Sequence, residues 1–248
     1  MNKVLIVTGA SRGIGAATAR LAASRGYAVA VNYHHNREAA EVVARAIAET
    51  GARAIAVQAD VAAESEVRRL FETVDRELGT VTALVNNAAI IDRQMRLEEM
   101  DAARLNRIFA TNVTGSFLCA SQAIRRMSTR YGGAGGSIVN VSSAASRLGA
   151  PGEYIDYAAS KGAIDTMTIG LAKEVATEGI RVNVVRPGVI YTDIHADSGE
   201  PGRVDRVKEF VPMKRGGQVA EVASAILWLL SEEASYTTGA VIDVAGGR

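Results

Sequence analysis

The stretch Val4-Leu-Ile-Val-Thr-Gly-Ala-Ser-Arg-Gly-Ile-Gly15 decides the fold. Four consecutive apolar residues suit a strand buried on both faces, and the glycines at 9, 13 and 15 let the chain turn sharply into a helix running from about Ala16 to Ser24. Such a turn brings backbone N–H groups to a helix N-terminus, where they can hold a pyrophosphate. The spacing is Gly-x-x-x-Gly-x-Gly rather than Gly-x-Gly-x-x-Gly, a departure from the common two-domain dehydrogenase fingerprint. A second stretch, Asp156-Tyr-Ala-Ala-Ser-Lys161, sets Tyr157 and Lys161 four residues apart. On a helix they share a face, where the ammonium would favour ionised tyrosine and lower its pKa. Together the two stretches point to nucleotide-dependent redox chemistry.

Outward from the opening, short apolar segments of strand composition recur at Ala28 to Asn32, Ala54 to Gln58, Ala83 to Asn86, Ser137 to Val141, Arg181 to Val185 and Ala240 to Asp243. Helical periodicity fills the intervals at Arg37 to Thr50, Glu64 to Leu78, Leu97 to Arg130, Ala158 to Thr177 and Val219 to Ser231. The alternation predicts an α/β fold, a doubly wound, Rossmann-like parallel sheet of about seven strands with helices on both faces. No linker divides the chain, so one domain is expected over 1–248. Residues 191–210 lack a clear period and are long for a connection, and a substrate lid is expected there.

The composition excludes several classes. Hydrophobic residues make up 48% of the chain, enough for a large core, and a formal net charge of +1 offers no electrostatic footprint for nucleic acid or an anionic membrane. The single cysteine, Cys119, lies in an apolar stretch as a buried, inert thiol, which fits a reducing cytoplasm. The N-terminal apolar run is too short for a signal peptide or a spanning helix. His34, His35 and His195 lack companions at metal-ligand spacing, so no metal is implied.

With Thr8-Gly-x-x-x-Gly-x-Gly15 and Tyr157-x-x-x-Lys161 in place, the chain resembles the short-chain dehydrogenase/reductase family nearly end to end, and most closely its members named 3-oxoacyl-carrier-protein reductases and sugar dehydrogenases. The resemblance implies a cofactor site at Gly9, Ser11, Arg12, Gly13, Ile14 and Gly15. It adds Asp60 and Val61 after the third strand, with Asp60 meeting adenine or capping the next helix. Asn86-Asn-Ala-Ala89 matches the family's Asn-Asn-Ala-Gly except at Ala89, where a methyl group would crowd the cofactor. Asn87, Ala88 and Ala89 would line the site, although the amides of Asn86 and Asn87 could equally tie strand ends together. Pro187, Gly188, Ile190 and Thr192 would hold the nicotinamide carboxamide, unless Pro187-Gly188 is a bare turn.

The resemblance also implies a catalytic set. Asn112 would hold a water of a proton relay through its carbonyl, or else mark a helix kink. Ser143 would bind the substrate oxygen, with Ser142 as the alternative because successive strand residues face opposite sides. Tyr157 would act as general acid and base, and Lys161 would assist it and bond the nicotinamide ribose. Ser143 and Tyr157 are one residue further apart than is usual in the family, a difference that the loop Gly149 to Tyr154 would absorb. Tyr154 has no lysine four residues on and is rejected as the acid. Family resemblance alone implies a homotetramer.

Cofactor choice rests on the end of the second strand, Asn32-Tyr-His-His-Asn36, which carries no carboxylate to accept a ribose hydroxyl. Arg12 is placed to pair with a 2′-phosphate, with Asn32, His34 or His35 as helpers, which favours NADP over NAD. Either histidine taken singly could lie in a solvated loop. The expected activity is hydride transfer between nicotinamide and a small-molecule carbonyl or secondary alcohol. The alternative is a catalytically silent nucleotide-binding redox sensor or scaffold, against which Ser143, Tyr157 and Lys161 argue.

Overall fold

The computed structural model describes residues 3–248; the first two residues of the expected 1–248 domain lie outside it. Seven strands, β1 (Lys3–Val7), β2 (Tyr27–Tyr33), β3 (Ala54–Gln58), β4 (Ala83–Asn86), β5 (Gly136–Val141), β6 (Ile180–Pro187) and β7 (Val241–Val244), form one sheet in the order β3-β2-β1-β4-β5-β6-β7. Every pairing is parallel. The strand order reverses between β1 and β4. In open α/β sheets a ligand cleft opens at that switch point, outside the carboxyl ends of the strands.

The sheet carries helices α1 (Gly13–Ser24), α2 (Arg37–Ala48), α3 (Glu64–Glu77), α4 (Ala102–Phe109), α5 (Gly115–Met127), α6 (Ala145–Leu148), α7 (Ile155–Val175), α8 (Ile194–Asp197), α9 (Arg203–Val207) and α10 (Val219–Leu230). Alternate residues of β1 serve opposite layers. Val4 and Ile6 pack with Leu70, Phe71, Val74 and Ile164, whereas Leu5 and Val7 pack with Ala19, Ala22, Val43 and Ile226. Each large side chain so buried stabilises the fold by about 1.5–3 kcal/mol. The apolar runs are thus explained by a sheet covered on both faces.

The expected single helix over Leu97 to Arg130 is broken. Asp101 starts α4 afresh, its side chain accepting the Arg104 N–H at 2.8 Å. A wide π turn over Ala110–Thr114 then separates α4 from α5. Its cause is local: the amide of buried Asn112 brackets Ile90, accepting its N–H at 2.8 Å and donating to its carbonyl at 3.0 Å. At the next turn Gly115 presses on Val61, where an added Cβ would stand 2.7 Å from the valine Cγ2. The aperiodic 191–210 region holds α8 and α9, too short to show a helical period, and α6 escaped the sequence reading for the same reason.

Candidate active site

The carboxyl ends of β1, β4, β5 and β6 open into a cavity of about 570 Å³. Its floor is the glycine turn. Gly9 and Gly13 have positive φ, 60° and 57°, a conformation that side chains disfavour. A Cβ on Gly9 would lie 2.9 Å from the Ala88 Cα, whereas one on Gly13 would meet nothing closer than Thr192 at 3.7 Å across the cleft. No side chain caps α1 and no acidic residue sits in its first turn, so its first N–H groups face the cleft without an intramolecular anion. This cradle fits a dinucleotide pyrophosphate. Ser11 and Ile14 also line it; Gly15 does not, and its hydrogen is required because a Cβ would fall 2.6 Å from Asn87 Nδ2.

Asn86 and Asn87 act as ties. Asn87 Nδ2 donates to the carbonyls of Thr8 and Gly9 at 2.9 and 3.0 Å, and Asn86 Nδ2 donates to Ser116 O and Asn140 Oδ1. Thr8, quoted in the opening motif without a role of its own, completes the joint: its Oγ1 accepts the N–H groups of Asn87 and Ala88, both at 3.0 Å. Ala88 and Ala89 line the cavity beyond this joint.

At the far end, Arg12, Asn32, His34, His35, Asp60 and Val61 line the cavity. Asn32 cannot serve as a phosphate helper as expected. It is buried, its Oδ1 accepts the Gly9 N–H at 3.3 Å, and its Nδ2 donates to Val57 O and Ala59 O. Its side chain is spent on joining β2, β3 and the glycine turn. Asp60 does not cap α3, which begins at Glu64 with Ala63 in the cap position and no side-chain cap; the Asp60 carboxylate accepts the Ala62 N–H and lies 3.8 Å from His34 Nε2. The guanidinium of Arg12 pairs with Asp197 on α8.

The catalytic corner is assembled from β5, α7 and the loop after β6. Tyr157 and Lys161 both line the cavity, with the Lys161 ammonium 5.6 Å from the centre of the tyrosine ring. Ser143 stands beside Tyr157, and its Oγ accepts the Ala145 N–H at 3.1 Å. Ser142 is turned away and donates to the Lys161 carbonyl at 3.0 Å, which removes it as the alternative to Ser143. Pro187, Gly188, Ile190 and Thr192 form the opposite wall, and Gly188 approaches so closely that a Cβ would lie 2.7 Å from the Ala245 Cα.

One expectation needs correction. Lys161 does not lower the Tyr157 pKa in this arrangement: burial pushes the hydroxyl up to about 12, with Ser143 acting in the opposite sense. The lysine ammonium is directed at the Val141 carbonyl, 2.8 Å away, and is itself pushed down to about 8 by burial, against which Asp165 acts. Asn112 lies behind the cavity wall, fully buried. Its carbonyl accepts the Ser116 hydroxyl at 3.1 Å and its Nδ2 donates to Ser160, so the kink is the role visible here.

Sequence reasoning missed the mouth of the cavity. Arg203 of α9 donates to both oxygens of Glu153, pulling the Glu153 carboxyl below its usual range, and stands over the ring of Tyr154 at 5.1 Å. Tyr154 in turn accepts from Gln94 at 3.0 Å and donates to Ser198 at 3.3 Å. His195 donates through Nε2 to the Ile190 carbonyl at 3.0 Å; burial lowers its pKa and leaves Nδ1 without a partner. No single motif signals the contacts of Glu153 and Tyr154, because they join α7's approach to segments forty or more positions away.

Comparison with known proteins agrees with this geometry. The family model described as "Enoyl-(Acyl carrier protein) reductase" matches residues 9–248. An Escherichia coli K12 protein, "Uncharacterized oxidoreductase YgfF", is 58% identical over 99% of both chains. "Glucose 1-dehydrogenase 2" of Bacillus subtilis is 38% identical over 99% of this chain and 94% of its own. A solved short-chain type dehydrogenase/reductase from Mycobacterium marinum superposes with a TM-score of 0.92 at 35% identity, covering 99% of this chain and 94% of that one. The chain belongs to the short-chain dehydrogenase/reductase family and is an NAD(P)-dependent oxidoreductase.

Proposed function

We propose that the protein is an NADP-preferring reductase or dehydrogenase of a small carbonyl or secondary alcohol, with Tyr157 as the general acid and base. The observation that carries the reading is the convergence of Ser143, Tyr157 and Lys161 on one wall of the cavity, facing the glycine cradle and the Ile190 to Thr192 wall. A bound nicotinamide supplies or takes up the hydride. The Tyr157 hydroxyl holds the proton that a reduced carbonyl oxygen requires, and a hydroxyl pushed up to about 12 carries that proton throughout the neutral range. Ser143 positions the substrate oxygen and stabilises the charge developing on it. Lys161 would exchange its Val141 carbonyl for the cofactor ribose and come closer to Tyr157. Gly9, Gly13 and the start of α1 would cradle the pyrophosphate, Asp60 and Val61 would border the adenine, and the Ile190 backbone and Thr192 would hold the carboxamide.

The NADP preference is supported by the lack of a carboxylate in Asn32-Tyr-His-His-Asn36 and by Arg12 at the cavity edge, with His34 and His35 nearby. A 2′-phosphate would take over the Arg12 guanidinium from Asp197, which also gives the 191–210 region a reason to move as a lid. The exposed apolar side chains of Phe117, Ile169, Trp228 and Val241 support an oligomer, the homotetramer that the family resemblance implies. The buried Cys119 supports a reducing, cytoplasmic setting.

The test is oxidation of NADPH and NADH, followed by absorbance, against ketones, diketones, β-ketoesters and keto sugars, with Tyr157→Phe beside the wild type. Turnover with NADPH that falls by at least about a hundredfold in the variant supports the reading. A preference for NADH overturns the cofactor assignment, and an active Tyr157→Phe overturns the mechanism.

A further inference from the structure

Four residues beyond Lys161, on the same face of α7, lies Asp165. Both are buried, at 3% and 6% exposure. Asp165 Oδ2 accepts two bonds from Arg186 of β6, from Nε at 3.0 Å and Nη2 at 2.8 Å. Its Oδ1 is buried with no donor at all. A buried acceptor left bare is costly; Asp75 Oδ1 and Asn86 Oδ1 share that state, so it is the place of Asp165 one turn beyond Lys161 that carries the argument.

We propose that Asp165, clamped by Arg186, is a positioning residue whose charge holds the Lys161 ammonium in its protonated form and so sets the pH range in which Tyr157 and Lys161 work. The inference rests on the catalytic reading of Lys161 given above. The surroundings of Lys161 leave this task to Asp165. On α7 its other ionisable neighbour is Tyr157. On β5 it meets the Val141 carbonyl, and Ser142 holds its own carbonyl. On β6 the charged residue is Arg186, which is held by Asp165. On β7, Asp243 lies 3.9 Å from Arg186 and is itself paired with Arg147 of α6, so it partly neutralises the guanidinium rather than reaching Lys161. Asp165 is the one charge acting to raise the Lys161 pKa against burial. Arg186 also leads directly into Pro187-Gly188 of the cavity wall, so the clamp fixes α7 to that wall at the level of the lysine.

The chain has five lysines, at 3, 161, 173, 208 and 214, which makes the charge state of Lys161 directly readable. Protein labelled with 13C at lysine Cε is titrated by NMR, with the Lys161 signal identified by its loss in Lys161→Met. Asp165→Asn should lower the Lys161 midpoint by about one pH unit or more, and Arg186→Gln, which takes the counter-charge from Asp165, should raise it, while the other lysines stay in place. The alkaline limb of kcat for ketone reduction by NADPH should move in the same directions. A Lys161 midpoint that does not move in Asp165→Asn overturns the proposal. Should that variant fail to fold, Arg186→Gln decides alone, a rise supporting the proposal and no change or a fall overturning it. A midpoint that moves while kcat does not would leave the electrostatic link standing and overturn the catalytic reading of Lys161 instead.

Discussion

Replacing Lys161 with methionine should make the ligand-free protein's stability less dependent on pH, by an amount that the burial of the ammonium fixes. The Lys161 pKa lies at about 8 in the folded protein against 10.5 in the unfolded chain. Between those values the unfolded chain binds more protons, so stability rises with pH across the window. Below about pH 8 the folded state carries the full cost of a buried ammonium, about 3 kcal/mol at about 1.4 kcal/mol per pH unit. By pH 10 the remaining cost is less than about 1 kcal/mol. Methionine has a similar shape and no charge, so Lys161→Met lacks this dependence. It does forfeit the bond to the Val141 carbonyl, an offset of about 1–3 kcal/mol that does not vary with pH.

The quantity to measure is therefore the stability difference between variant and wild type. Urea unfolding at equal protein concentration, followed by circular dichroism at pH 7, 8, 9 and 10, should show that difference moving by about 2 kcal/mol in the wild type's favour as pH rises. Tyr157, pushed up to about 12, loses stability only above pH 10 and does so in both proteins. A difference constant to within about 0.5 kcal/mol over the series would refute the reasoning, since it would mean that the ammonium keeps its ordinary pKa.

Further outcomes follow from the same geometry. Asn87→Ala strands the Thr8 and Gly9 carbonyls, so it should cost about 1–3 kcal/mol in urea unfolding and weaken NADPH binding by fluorescence titration. Arg104→Met breaks a buried pair in which Arg104 Nε donates to Asp156 at 2.7 Å, and should cost about 3–5 kcal/mol in the same assay. Because Asp156 also accepts the Tyr157 N–H at 2.8 Å, kcat should fall with it. Cys119 is buried with its thiol pushed up to about 12, so a thiol reagent at pH 8 should leave it untouched in the folded protein and modify it once unfolded.

What was legible in the sequence is what local chemistry dictates. The seven strands announced themselves because a sheet covered on both faces demands unbroken apolar runs. The glycine turn, Tyr157 and Lys161 could be read because helix spacing and positive φ are properties of neighbours in the chain. Asn32 was misassigned for the complementary reason: whether an amide faces a ligand or a backbone carbonyl depends on β3, more than twenty residues away. The break at Asn112 was legible only as an alternative, because its partner is the Ile90 backbone, which no periodicity reveals.

The Tyr157 pKa shows the same limit in electrostatic form. Four-residue spacing guarantees that Lys161 shares its face, and from that alone a lowered pKa follows. Yet the spacing says nothing of how deeply the pair is buried or where the ammonium points, and here desolvation and the Val141 carbonyl decide the sign. Arg186 and Asp165, twenty-one positions apart in the chain, were equally invisible as a pair. Burial makes the ammonium expensive and Asp165 acts against that expense, so the working state of the site depends on charges and burial set by the fold. A site of that kind responds to a single buried charge by whole pH units, which is why substitutions at Asp165 and Arg186, outside the motifs that identify the family, should retune its chemistry.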